Sequence, residues 1–458
     1  MTGAIKNAES NKLTVLMFPW LAHGHASPFL ELGKKLQARN FDVHLCSTAA
    51  NLSSIKKRMG EGSGIQLVQI DLPNLPNLPS HYHTTNGLPP HLMDTLKCAY
   101  DMAKPAFSKI LQTVKPDLVI YDFLRPWPAE AASDLDIPAV QFIATSATMT
   151  SFMLHAFKYP GKEYPYPEIF YRDTENAQVS GLGECPELRK AIESLKKSDK
   201  VILIKGIKEM EEEFSEYLSE LSDKRIVHVG PLVQDSTSKD ENPDIMKWLN
   251  KKKSCSTIFV SFGSEYFLSK EDFDEIAHGL MLSNVNFIWV VRFPVGEIIR
   301  LEDKLPSGFL KKVGERGMIV EGWAPQAKIL GHSSIGGFVS HCGWNSVTES
   351  MHSGVPIIAM GMHLDQPLHA KLVHKFGTGI EVLRDENGRF KREKIASVIK
   401  QVVANRDGRS VRDKAKNLGD SIRKKGDEEM DQVAKELMQL ILSRKRDAEI
   451  VQRAKEMM

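Results

Sequence analysis

The feature that most limits the fold of this chain is a near-continuous alternation of short apolar runs with amphipathic stretches. Leu13–Phe18, Val43–Ser47, Ile65–Ile70, Leu118–Tyr121, Ala139–Phe142, Val201–Ile204 and Ile226–Val229 are short and rich in apolar and β-branched residues, as buried strands are. Between them lie amphipathic stretches such as Phe29–Arg39 and Pro90–Gln112. Strands that are apolar on both faces need cover on both faces, and helices between successive strands supply it. The pattern is that of a doubly wound α/β protein. After Gly230-Pro231 comes a polar, turn-rich segment, Gln234–Pro243, of the kind that links domains. A second series then follows: Thr257–Phe262, Phe287–Val291, Met318–Glu321, Gly336–Ser340, Pro356–Ala359 and Gly379–Glu381. A chain of 458 residues exceeds one ordinary core. Two α/β halves are therefore expected, with a cleft between them as the site.

Composition narrows the function by exclusion. A net charge of +2 gives no argument for nucleic acid or for an anionic membrane. The five cysteines form no CxxC pair and no zinc spacing, which fits reduced thiols in a cytoplasmic protein. The N-terminus is polar, and no run approaches the roughly 18 apolar residues of a membrane span, so no stable membrane insertion is expected. From Lys391 onward the chain reads as helical, with charges of both signs interleaved, the mark of solvated helix faces. Val433, Leu437, Leu440 and Ile441 form one apolar stripe that should dock, whereas the residues beyond Ser443 are too polar to promise order.

The chemistry concentrates between Trp323 and Gln366. The strand Gly336–Ser340 runs into His341-Cys342-Gly343-Trp344-Asn345-Ser346, where a helix pattern starts. A helix N-terminus offers unpaired N–H groups and the positive end of the macrodipole, a natural seat for phosphate. His341, Asn345 and Ser346 add side-chain donors, and Gly343 allows close approach of the backbone. Glu349 lies three residues past Ser346 on the same helical face, where it can accept from ribose hydroxyls. Trp323 can stack a nucleobase, Gln326 can reach the ribose, and the Asp365-Gln366 pair can read sugar hydroxyls. Taken singly, such residues are more often core, cap or surface groups.

In the first half, PWLAHGHASPFLEL follows the first strand, with a helix expected from about Ala26. His25 would stand at its N-terminus, where the dipole favours a neutral, basic imidazole. Asp122 ends the strand Leu118–Tyr121 on the same sheet edge and could hold the other ring nitrogen. His23 competes for the role, and the residues alone do not choose between them.

Taken together and in this order, Trp323–Gln366 resembles the signature box of the plant family-1 secondary-product glycosyltransferases. The opening WAPQ, the HCGWNS core with Glu349 behind it and the closing DQ all match. The similarity continues through VGPL at Val229–Leu232, FVSFGSE at Phe259–Glu265 and NFIWVVR at Asn286–Arg292. The resemblance implies the GT-B fold, two Rossmann-like doubly wound domains facing across a cleft. The expected division is an acceptor-binding domain over 1–232, a linker over 233–243, a UDP-sugar domain over 244–426 and a C-terminal helix over 427–458 packing back toward the first domain.

The same resemblance implies that Trp323 stacks on uracil beside the backbone of Ala324, while Gln326 and Glu349 hold the ribose. Pyrophosphate falls to His341, Asn345 and Ser346, with Ser264 also near the nucleotide. Trp344, Asp365 and Gln366 are placed at the sugar, and the final Gln points to UDP-glucose. Between the two histidines it selects His25, because the family's catalytic histidine follows the glycine of a Gly-His pair, here Gly24, with Asp122 as partner. Thr145 maps close to the transferred sugar. Gly361 departs from the family, which commonly has Pro there, and a looser loop around Asp365 is expected from it.

FPWLAHGH, HTTNGLPP and YDFLRPW resemble the branch that extends sugar chains on existing plant glycosides. The implied reaction is inverting transfer from a UDP-sugar to a hydroxyl of a triterpenoid or flavonoid glycoside, at a 2-OH or a 6-OH. Trp20, Phe123, Arg125 and Met149 are the acceptor-side candidates nearest the inferred base. No cofactor besides the UDP-sugar co-substrate and no metal is expected, since Asp134-Leu135-Asp136, the one Asp-x-Asp, reads as a surface turn. The expected state is a monomer. Three rivals stand beside this reading. One is direct transfer to an aglycone, and another is an inactive nucleotide-sugar-binding protein. The third is a dinucleotide oxidoreductase, which the lack of GxGxxG after the first strand opposes.

Overall fold

The computed structural model describes residues 12–60, 62–176, 185–234, 242–263, 266–293 and 300–456. Ser264, most of the expected linker (235–241) and the last two residues of the FVSFGSE match lie outside them. Among the described residues the strands form two sheets. The first has the order β3-β2-β1-β4-β5-β6-β7, built from β1 (Leu13–Phe18), β2 (Phe41–Ser47), β3 (Gln66–Gln69), β4 (Leu118–Asp122), β5 (Ala139–Ile143), β6 (Val201–Ile204) and β7 (Arg225–His228). The second has the order β10-β9-β8-β11-β12-β13, from β8 (Thr257–Ser261), β9 (Asn286–Val291), β10 (Gly317–Glu321), β11 (Ile335–Ser340), β12 (Ile357–Ala359) and β13 (Gly379–Glu381).

Every strand expected from an apolar run is present, with ends that agree to within two residues. The pairings of β1 with β2 and β4, and of β8 with β9 and β11, are parallel. In each sheet the strand order reverses beside the first strand of its series, between β1 and β4 and between β8 and β11. Such a reversal opens a crevice at the carboxyl ends of the two strands, because their outgoing chains leave toward opposite faces. Register brings those ends level. Phe18 lies opposite Tyr121, so the segments after β1 and β4 emerge side by side. Ser340 lies opposite Ser261, which does the same for the segments after β8 and β11.

By compactness the chain divides into two units. The first comprises Met1–Ala144, Lys190–Leu203 and Glu428–Met458, and the second Thr145–Arg189 and Ile204–Asp427. Residues 145–189 and the segment after Ile204 group with the second unit through polar links onto its own elements. Ser146 bonds His369 at 2.7 Å, Arg172 forks onto Glu381 at 2.6 and 2.7 Å, and the Lys205 carbonyl accepts from Trp344.

The amphipathic stretch Pro90–Gln112 is divided: a 3-10 turn at Pro90–Leu92 leads into Met93–Asp101, and a second helix runs from Lys104 to Val114. Pro105 has no N–H to give to the Asp101 carbonyl, so the first helix ends and the second starts with the proline in its first turn. The last helix runs from Arg409 to Glu456 and so continues past Ser443. Val433, Leu437, Leu440 and Ile441 are buried as expected. Arg444 pairs with Asp199 at 2.8 Å and Lys445 with Asp117 at 2.5 Å, so ion pairs anchor what apolar contacts do not.

Candidate active site

In the first unit the helix His23–Gln37 begins three residues earlier than expected, because Ala22 serves as its N-cap and receives the N–H of both His25 and Ala26. His23 is thereby the first helical residue and is exposed, Gly24 follows it half-buried, and His25 turns inward. The His25 Nδ1 lies 2.8 Å from Asp122 Oδ2. Asp122 is 2% exposed, and its oxygens also accept the backbone N–H of Trp20 at 3.2 Å and of Leu124 at 3.3 Å. A carboxylate surrounded by donors accepts from Nδ1–H, which leaves the imidazole lone pair on Nε2. Phe123 stacks on the imidazole with centroids 5.5 Å apart, fixing the ring plane.

The other acceptor-side candidates divide. Trp20 is buried edge-on against Tyr100, and Arg125 is buried with its Nε donating to Asp101 at 2.7 Å, so both side chains serve the core. Phe123 and, in the second unit, Met149 are half-buried. Asp134 caps a short helix and pairs with Lys104, and Asp136 is an exposed left-handed residue, so Asp134-Leu135-Asp136 is a surface turn. Among the described residues no three His, Cys, Asp or Glu side chains are grouped to hold a metal ion.

In the second unit the segment after β11 makes a tight turn through Cys342, whose φ of 64° is left-handed, before the helix Trp344–Ser353 starts. A non-glycine residue in that region costs energy, and such strain gathers at functional turns. His341 is buried with Nδ1 lacking a hydrogen-bond partner, and its ring is clasped between two glycines. A Cβ on Gly263 or on Gly343 would stand 2.5 Å from His341 Nε2, and Gly263 also has a φ of 80°. Burial pushes the His341 pKa down to about 4, so the ring stays neutral. Asn345 and Ser346 occupy the first turn of that helix.

One turn on, Gln326 Nε2 donates to Glu349 Oε2 at 2.9 Å and to Ser346 Oγ at 3.1 Å, so the residues expected at ribose and phosphate are in direct contact. Burial pushes the Glu349 carboxyl up, and the Lys205 charge and the Gln326 amide pull against it. Trp323 is 49% exposed, a large indole presented to solvent, while Ala324 beside it is buried. An exposed tryptophan next to a polar cluster is a stacking surface rather than core.

Thr145 Oγ1 donates to Asp365 Oδ2 at 2.9 Å, joining two positions 220 apart in sequence. Gln366 Oε1 accepts the N–H groups of Met362 and His363, which holds the loop and leaves its amide N–H₂ as a donor. Trp344 differs from expectation in how it can act. Its indole N–H donates inward to the Lys205 carbonyl at 2.7 Å, so what it can offer a sugar is its main-chain N–H at the helix start. The loop at Gly361 is not loosened. Pro367 packs where a Cβ would be, at 2.8 Å, and the Gly361 carbonyl accepts from Arg384 at 3.1 Å.

Three groups here escaped sequence reasoning. His369, buried, links Ser146 Oγ to the Cys342 carbonyl, bonded at 3.0 Å through its Nδ1, and so braces the turn against the Thr145 segment. Lys205 is buried against Asn345. Gly263 gives His341 its room; its place directly after a strand was the one available signal.

Residues 228–412 match the family model described as UDP-glucoronosyl and UDP-glucosyl transferase, and residues 11–234 match that of the glycosyltransferase N-terminal domain. The chain is 50% identical over 440 residues to UDP-glucosyltransferase 29 of Panax ginseng, covering 95% of this chain and 99% of that protein. It is 48% identical over 436 residues to beta-D-glucosyl crocetin beta-1,6-glucosyltransferase of Gardenia jasminoides, covering 93% and 98%. A crystal structure of a Glycyrrhiza uralensis glycosyltransferase complexed with glycyrrhetinic acid 3-O-monoglucuronide superposes with a TM-score of 0.83 at 24% identity, covering 97% and 99% of the two chains. That likeness bears on the fold, which is GT-B. The chain belongs to the plant family-1 UDP-glycosyltransferases and is a glycosyltransferase that uses a UDP-sugar donor.

Proposed function

We propose that this enzyme transfers glucose from UDP-glucose, with inversion and without a metal, onto a sugar hydroxyl of a plant glycoside such as a triterpenoid or flavonoid glycoside. The observation that carries the chemistry is the His25–Asp122 pair at 2.8 Å. The acceptor hydroxyl gives its proton to His25 Nε2 as its oxygen attacks the anomeric carbon. The bond from that carbon to the β-phosphate oxygen breaks, and UDP leaves with the electron pair. Asp122 offsets the charge that develops on the imidazolium. The leaving diphosphate is met by the start of the helix Trp344–Ser353 and by His341, Asn345 and Ser346, donors already in place before charge develops. Thr145, Asp365 and Gln366 hold the glucose, and Trp323, Gln326 and Glu349 the uridine. Phe123 and Met149 are the acceptor-side contacts.

Support for a glycoside acceptor comes from the Gardenia relative, which is named for acting on β-D-glucosyl crocetin and is nearly half identical over almost the whole chain. All five cysteines are free, in keeping with a cytoplasmic enzyme. The test is kcat/KM for a matched series of aglycone, monoglucoside and diglucoside with UDP-glucose, run with and without EDTA. A site that hydrogen-bonds a resident sugar leaves those groups unsatisfied when the sugar is missing, at about 1–3 kcal/mol each, so two such groups give about a hundredfold preference for a glucoside. Equal transfer to the bare aglycone would sink the chain-extension reading, and a rate lost to EDTA and restored by manganese would sink metal independence.

A further inference from the structure

Lys205 follows directly on β6 and is 2% exposed, one of the largest fully buried side chains in the protein. Its ammonium donates to Asn345 Oδ1, and its own carbonyl accepts the Trp344 indole N–H at 2.7 Å. It thus holds both of the first two residues of the helix Trp344–Ser353. The chemistry of the first contact is directional. An ammonium has three donors and no acceptor, while a primary amide has an oxygen at one end and an N–H₂ at the other. An amide free to rotate could present either end to a ligand. With an ammonium beside it, only the carbonyl oxygen can face Lys205, so the N–H₂ must face the other way.

We infer that Lys205 is a positioning residue for the diphosphate of the donor, acting through Asn345 by locking the side-chain amide with its N–H₂ toward the phosphate oxygens. This rests on the reading of the second unit as the UDP-sugar site. Through the lock the helix terminus presents donors only, with no carbonyl oxygen turned toward a doubly charged ligand. The Lys205 charge sits one amide behind, where it polarises those N–H bonds in a poorly solvated place.

The test separates diphosphate from nucleoside. Affinities of UDP and of uridine are measured by calorimetry for the wild type, Lys205→Met, Asn345→Ala and the double variant. Lys205→Met should weaken UDP at least about tenfold, the scale of one charge-assisted hydrogen bond, and leave uridine within about twofold. Asn345→Ala should do the same, and the double variant should be no worse than the worse single one, because one contact is being removed twice. Lys205→Gln, whose head group fills the same space but can face an amide either way, carries the test if Lys205→Met does not fold. Unchanged UDP affinity, equal losses of UDP and uridine, or additive losses would each overturn the inference. Failure of the wild type to bind UDP at all would instead overturn the site assignment beneath it.

Discussion

Replacing Asp122 by Asn exchanges one carboxylate oxygen for an N–H₂ in a nearly sealed place, and the structure says what must follow. The carboxylate accepts three N–H groups, from His25 Nδ1 at 2.8 Å, Trp20 at 3.2 Å and Leu124 at 3.3 Å. An amide has only one acceptor end. With its oxygen toward His25, the new N–H₂ opposes the Leu124 N–H, and a buried donor left unsatisfied costs about 1–3 kcal/mol. Turned the other way, the N–H₂ opposes Trp20 and forces the imidazole proton onto Nε2, which abolishes the base. Either way the imidazolium of the transition state loses its counter-charge. At an effective dielectric near 20 and a charge separation of about 4 Å that interaction is worth up to ~4 kcal/mol, less where solvent reaches it. The His25 side chain is 22% exposed, so part of that is screened. The expectation is a fall in kcat of about 10²–10³-fold, from 1.4 kcal/mol per factor of ten. UDP affinity should not move, because the nucleotide groups belong to the other unit. Initial rates with UDP-glucose and a glycoside, beside UDP calorimetry, make the measurement. A variant retaining more than about a tenth of wild-type kcat with UDP affinity intact would refute the tautomer-and-charge argument.

His25→Ala should abolish turnover, whereas His23→Ala should retain most of it; the reverse pattern in steady-state rates would reassign the base. Trp323→Ala should weaken UDP and uridine alike by about ten- to a hundredfold, from ~1–3 kcal/mol of base stacking, with little change in melting temperature because the indole is half exposed. Acid should destabilise the second unit in a defined window. Burial holds His341 and His228 down to a pKa of about 4. Unfolded histidines take up a proton near pH 6.5, so the unfolded state binds more protons between those values and stability falls as pH drops through the window. From pH 7 to pH 5 the loss is about 2 kcal/mol per histidine, read as a falling melting temperature; a flat profile would show that neither ring is held neutral.

Both sheets were legible in the sequence for a local reason, and so was a helix start suited to phosphate. An apolar run buried on both faces announces a strand wherever its partners lie, and a strand end running into His341-Cys342-Gly343-Trp344-Asn345-Ser346 announces a helix start whose free N–H groups suit phosphate. Trp323, Gln326 and Glu349 could be named together from the resemblance of their motifs, since the Gln326–Glu349 contact itself spans 23 positions. The choice of His25 over His23 was different in kind. Residue types left it open, and the pairing across 97 positions to Asp122 comes from the register of β1 against β4. Lys205 against Asn345, 140 positions apart, and Thr145 against Asp365, 220 apart, had no local signal at all. Trp20 and Arg125, named as acceptor-side candidates near the inferred base, are taken up by Tyr100 and Asp101. Secondary structure and backbone chemistry follow from neighbours within a turn or a strand, so the sequence alone determined them. Which side chain meets which across the sheets depends on how buried surfaces and polar groups are satisfied together, and only the tertiary structure decided that.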